Sequence, residues 1–172
     1  AAIEIDDPIF VYAHFMSPHA PFTNDANCET IDTRFLKSEG EELNALFVGQ
    51  VQCLNRHFID LVDGIIARDP EAIIVLAGDH GPRHSVPKVP RARLDDFGDV
   101  RIRESLGILN AIRVPEECGA PLNPRWTLVN TMRLVFACMG GQEPRLVEPK
   151  HFILRWNKSN PDAGKIREVF PN

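Results

Sequence analysis

Between Ser38 and Arg68, the apolar residues Leu43, Phe47, Val51, Leu54, Phe58, Val62 and Ile65 recur at steps of 4, 4, 3, 4, 4 and 3. This spacing lines one face of an α-helix, and the segment lies in the longest proline-free stretch of the chain, between Pro21 and Pro70. Asp69-Pro70 ends it, because a residue before proline avoids the α region. The next apolar run, Ala72–Ala77, is continuous, with Ile73, Ile74 and Val75 at its heart. A parallel strand buried on both faces has this pattern. Helix, short connection and strand together make half of a right-handed crossover.

Ile9–Ala13 (IFVYA) is rich in β-branched and aromatic residues and predicts a buried strand. Ser17–Thr33, with Pro18, Pro21 and many Asn and Asp residues, predicts a loop. Pro82–Arg103, with Pro82, Pro87 and Pro90, predicts a long loop of the kind that forms lids over sites or lacks order. Leu106–Val114 is expected to form a strand. Pro124–Met139 is expected to form a second helix, with Pro124 in its first turn, Leu128, Met132, Val135 and Met139 on one face, and Gly140-Gly141 as its stop. His151–Trp156 predicts a last strand and Asn157–Asn172 a polar, irregular tail. At 172 residues, one α/β domain is the default expectation.

Composition narrows the function classes. Hydrophobic residues make up 44% and charged residues 25%, ordinary values for a globular protein, and the formal net charge is −5. There is no run of Lys and Arg, which argues against nucleic acid as a partner. The longest apolar runs, Ile73–Ala77 and Leu134–Cys138, fall far short of the ~18 residues needed to span a bilayer. The acidic opening AAIEIDDPIF has no signal-peptide pattern. The chain is therefore expected to be soluble as given, with an anchor elsewhere in a longer protein left open. Its four cysteines contain no C-x-x-C pair, which disfavours a structural zinc site. Cys53 and Cys138 fall in apolar periodic segments and are expected to be buried thiols, whereas Cys28 and Cys118 fall in loops and could pair in an oxidising compartment.

The candidate chemistry begins at Gly78-Asp79-His80-Gly81, directly after the Ala72–Ala77 run. Ligand sites of open α/β sheets lie at such strand ends. Asp and His next to each other point to opposite sides of an extended chain, and the flanking glycines would let the backbone bend so that both reach a metal. This pair suits Zn²⁺ or Mn²⁺ better than Ca²⁺ or Mg²⁺, which favour oxygen shells. The same four residues also read as a simple strand-end turn. His14 and His19, in HFMSPHAPF, follow the other expected strand and could bind metal, hold an anionic substrate or protonate a leaving group. Arg83 and His84 come next after the Asp-His pair. Arg83 could meet an anionic group through its forked donors or make a solvated salt bridge. His57 and His151 read as structural or surface residues. There is no phosphate loop, no G-x-S-x-G elbow and no H-E-x-x-H helix, and no side chain here is marked as a nucleophile.

HFMSPHAPF, VGQVQCLNRHFIDLVDGIIARDPEAIIVLAGDHGPR, ESLGILNAIRVP and LNPRWTLVNTMRLVFACMGG, in that order, resemble the C-terminal half of the sulfatase-like branch of the alkaline phosphatase superfamily. The resemblance implies a three-layer α/β sandwich fragment with a mostly parallel central sheet flanked by helices. It implies Asp79 and His80 as metal ligands and His19 as the catalytic histidine at the substrate's anionic group or leaving oxygen, with His14 a weaker candidate for the same role; it transfers no firm role to Arg83, and Arg83 and His84 are substrate-binding candidates from their position after the Asp-His pair. The activity implied is metal-dependent hydrolysis of a phosphate or sulfate ester, with the nucleophile on a part of the protein outside this chain. The alternatives are transfer of phosphoethanolamine or phosphoglycerol onto a glycan or lipid, and a non-catalytic α/β module that binds an anionic glycan or a partner, including a second copy of itself. Many such relatives are membrane-anchored, with the catalytic domain outside the cytoplasm.

Overall fold

The computed structural model describes residues 8–32, 40–82, 98–118, 123, 125–154 and 162–170. In chain order its elements are helix α1 (Gly40–Ile66), strand β1 (Ile74–Ala77), helix α2 (Asp99–Leu106), strand β2 (Asn110–Arg113), a 3₁₀ turn (Glu116–Cys118), helix α3 (Leu128–Met139) and strands β3 (His151–Leu154) and β4 (Ile166–Val169). The chain divides into two units, Ala1–Phe58 and Ile59–Asn172, with α1 running across the boundary.

Helix α1, whose residues up to Phe58 belong to the first unit, forms where the periodicity predicts it. Its seven expected face residues are all half-buried, and the positions fully covered are Gly49, Gln50 and Cys53. Residues 22–31 fold back against that line. Phe22 is buried and meets Phe47 edge-on at 5.9 Å, and Phe15 meets Phe58 at 5.4 Å. Asn24 and Thr30 form an isolated antiparallel bridge, and a disulfide joins Cys28 to Cys53. The expected strand Ile9–Ala13 is irregular, and Ile9, Phe10, Val11 and Tyr12 are exposed. Strand propensity needs a ladder partner to become a strand, and among the described residues this segment has none.

In the second unit, β1 pairs with β2 in antiparallel register, from Ile74 opposite Arg113 to Ala77 opposite Asn110. β3 pairs antiparallel with β4, from His151 opposite Val169 to Leu154 opposite Ile166. These two small sheets overturn the expected mostly parallel three-layer sandwich: among the described residues, every strand pair is antiparallel and two-stranded. The continuous apolar run at β1 reports burial, not strand direction. Ile74, Val75 and Leu76 are only half-buried, because a two-stranded sheet leaves them partly uncovered. The expected strand Leu106–Val114 is shorter, since Leu106 closes α2. That helix begins at Asp99, inside the stretch expected to be loop, and buries Ile102. Residues 83–97 of that stretch lie outside the described residues. Part of the expected polar tail, Ile166–Val169, is β4.

Helix α3 buries Asn130, Thr131, Leu134 and Val135. The expected face placed Met132 and Met139 inward, but both are exposed. Two polar residues occupy the inner face because their hydrogen bonds are met there. Asn130 donates to the Val147 carbonyl at 2.8 Å and accepts from the Val147 amide at 2.9 Å. Thr131 donates to Asn110 Oδ1 at 2.9 Å. A disulfide between Cys118 and Cys138 fixes the C-terminal end of α3 to the 3₁₀ turn. The cysteines thus pair 28–53 and 118–138, not as two buried thiols plus a loop pair, and each bond contributes about 3 kcal/mol by restricting the unfolded chain.

Candidate functional site

The segment after β1 is pinned at both ends. Gly78 extends the β1–β2 ladder by donating to the Leu109 carbonyl at 2.9 Å, and Gly81 donates to the Ser105 carbonyl at 2.8 Å. At Gly81 the backbone touches the last turn of α2. A Cβ added there would lie 2.0 Å from the Glu104 carbonyl oxygen and 2.7 Å from that of Gly107. Asp79 and His80 are carried between these two anchors.

Within the bend, the His80 amide donates to Asp79 Oδ1 at 3.0 Å. His80 Nδ1 lies 2.8 Å from the Gly81 carbonyl oxygen. A carbonyl only accepts, so Nδ1 carries the proton, and Nε2 presents its lone pair when the ring is neutral. Nε2 is 3.8 Å from Asp79 Oδ2. Two ligands each about 2.1 Å from one ion lie about 3.4 Å apart in a tetrahedral shell, so a small rotation of the carboxylate brings both within reach of a single cation. The Asp79 side chain is 91% exposed and that of His80 44%, so both donors are open to solvent. The bend brings together side chains that a continuing strand would have pointed apart.

His14 and His19 belong to the first unit. The His19 amide closes a turn onto the Met16 carbonyl at 2.8 Å, and its Nδ1 donates to the Ala20 carbonyl at 2.6 Å, leaving Nε2 outward on an exposed ring. The Ser17-Pro18 and Ala20-Pro21 peptide bonds on either side are cis. His14 Nδ1 is 3.5 Å from the Tyr12 hydroxyl, with the two rings edge-on at 6.4 Å. Arg83 and His84 lie outside the described residues.

Gln50, which was not singled out from the sequence, organises the His19 loop from α1. It is buried, its Oε1 accepts from the amides of Thr23 and Asn24 at 2.9 Å each, and its Nε2 donates to Ser17 Oγ at 2.7 Å. A glutamine three residues before Cys53, on a covered helix face, was the available signal. Gln50→Ala leaves two backbone donors unpaired and is expected to cost about 2–3 kcal/mol, read as a lower midpoint in urea unfolding; a cost below about 0.5 kcal/mol would contradict the clamp.

A second group of donors lies where none was expected. The sulfurs of Cys28 and Cys53 and a ring nitrogen of His57 all lie within 4.8 Å of one another, a grouping that could hold a metal ion, although the two sulfurs are joined in a disulfide. His57 is exposed, one helical turn after the buried Cys53. His151 lines a shallow, open cavity of about 240 Å³ with Arg103, Leu106, Gly107 and Phe170, and the Arg103 guanidinium stacks over the Phe170 ring at 4.4 Å.

No family model, curated protein or solved structure matches this chain. Among the described residues, no helix is long and apolar enough to cross a membrane.

Proposed function

We propose that the chain is the metal-binding part of a sulfatase-like, metal-dependent hydrolase of phosphate or sulfate esters. The observation that carries this reading is the Asp79–His80 pair, whose Oδ2 and Nε2 converge to 3.8 Å on an anchored bend open to solvent. The ordered blocks that resemble the sulfatase-like branch of the alkaline phosphatase superfamily suggest the substrate class. The donor set of one carboxylate and one imidazole fits Zn²⁺ or Mn²⁺.

In this reading Asp79 and His80 hold the ion. When bound, it supplies Lewis-acid neutralisation of the negative charge that develops on the ester's oxygens. The Gly81 carbonyl keeps Nε2 of His80 aimed outward by holding the proton on Nδ1. His19 is oriented in the same way by the Ala20 carbonyl, but it belongs to the other unit and no step at the bend is assigned to it. The nucleophile is assigned to a part of the natural protein outside these residues. Transfer of phosphoethanolamine or phosphoglycerol uses the same residues, with an acceptor hydroxyl in place of water.

The test uses the chain within its natural protein, assayed on aryl phosphate and aryl sulfate esters and on a phosphoethanolamine lipid with a glycan acceptor. Asp79→Ala is expected to lower turnover about 10²–10³-fold. Unchanged turnover in Asp79→Ala would sink the proposal.

A further inference from the structure

The Cys28–Cys53 disulfide lies beside an imidazole that its stabilising role does not need. His57 follows Cys53 by four residues, which puts both on the same face of α1. Three side chains of the types that bind Zn²⁺ in Cys₂His sites therefore meet at one exposed spot, with one sulfur buried and the ring open to solvent.

Bonds other than the sulfur–sulfur bond also hold the elements of the cluster together. The loop that carries Cys28 closes on itself: Asp25 donates to the Glu29 carbonyl at 3.0 Å, Cys28 to the Asp25 carbonyl at 3.1 Å and Ile31 to the Thr23 carbonyl at 2.8 Å. Asp25 Oδ1 accepts from the amides of Asn27 and Glu29 at 2.8 and 2.9 Å. Gln50 then holds Thr23 and Asn24 to the helix one turn before Cys53. None of these bonds involves a cysteine side chain, so opening the disulfide does not itself break them. Ligand atoms in a tetrahedral zinc shell lie about 3.5–3.8 Å apart, within the 4.8 Å that already encloses this group.

We propose that Cys28, Cys53 and His57 form a redox-gated site for a thiophilic divalent ion of the Zn²⁺ class, closed to metal as the disulfide and opened by reduction. Two equivalents of a small thiol, RSH, reduce the bond to Cys28–SH and Cys53–SH and leave as RSSR. Metal binding then releases the two thiol protons and joins two thiolates and the His57 imidazole to the ion, with water in the fourth position. The site is separate in its residues from Asp79 and His80 and stands whether or not the ester-hydrolase reading does.

The test is titration of the chain with Co²⁺, whose thiolate charge-transfer absorption reports sulfur ligation, before and after reduction with a trialkylphosphine. The disulfide form is expected to show no such band. The reduced form is expected to bind one Co²⁺ with it, and Zn²⁺ is expected to displace the Co²⁺. His57→Ala, an exposed substitution on α1, is expected to weaken binding by at least about tenfold. The band is also expected in a Cys118→Ser/Cys138→Ser variant; should that variant fail to fold, His57→Ala in the native background still assigns the site. Absence of thiolate absorption after reduction, or absorption that His57→Ala leaves unchanged, would overturn the proposal.

Discussion

Gly81→Ala is expected to lower stability by about 3 kcal/mol or more and to release the Asp79–His80 bend. The added methyl would lie 2.0 Å from the Glu104 carbonyl oxygen, 2.7 Å from that of Gly107 and 3.1 Å from the Glu104 carbonyl carbon. All three are backbone atoms in or just after the last turn of α2, so no side chain can rotate aside. Either the bend moves and the bond from Gly81 to Ser105 breaks, or the end of α2 moves and the burial of Ile102 is loosened. Gly78 is the control. A methyl there meets nothing closer than 3.5 Å, an ordinary contact, so Gly78→Ala is expected to cost less than about 1 kcal/mol. Urea unfolding of the two variants reads the difference directly, and equal costs would show that the approach of Gly81 to α2 does not fix the bend.

That approach shows which parts of the candidate site were legible in the sequence. The types and order of Asp79 and His80, after an apolar run and between glycines, were enough to single them out. The partner of Gly81 was hidden, because α2 arises from a charged stretch, Asp99–Leu106, whose apolar positions Val100, Ile102 and Leu106 are too few to announce a helix. Gln50 was hidden for the opposite reason: a polar residue on an apolar helix face looks like an interruption until its three hydrogen-bond partners are known.

The same contrast runs through the fold. α1 was legible because seven apolar residues keep a 3.6-residue period, and Asp69-Pro70 marks where it must end. α3 was legible as a helix and its face in part: Val135 is buried and Leu128 half-buried as expected, but Asn130 and Thr131 pack inward on satisfied hydrogen bonds and leave Met132 and Met139 outside. The direction of β1 was not written in its composition, because a continuous apolar run suits either kind of ladder. β4 was hidden because Ile166-Arg167-Glu168-Val169 has only two apolar residues, of which Ile166 is exposed and Val169 alone is buried. Periodicity placed Cys53 correctly on a covered face but carries no information about which sulfur it meets.

The central claim is that Asp79 and His80 bind a divalent cation together, and this sets the second large effect: Asp79→Ala is expected to abolish binding at the bend, not merely weaken it. His80 alone is a single donor on a half-exposed ring, and the paired oxygen that completes the chelate is gone. The Asp79 side chain is almost fully exposed and its one hydrogen bond is local, so the variant is expected to fold with nearly native stability. Keeping both disulfides oxidised removes the Cys28–Cys53–His57 group from competition. The most direct measurement is Mn²⁺-induced broadening of backbone amide resonances in the oxidised chain. The account predicts broadening centred on Gly78 to Gly81 that disappears in Asp79→Ala and is displaced by Zn²⁺; broadening that spares these residues, or that persists unchanged in Asp79→Ala, would contradict it.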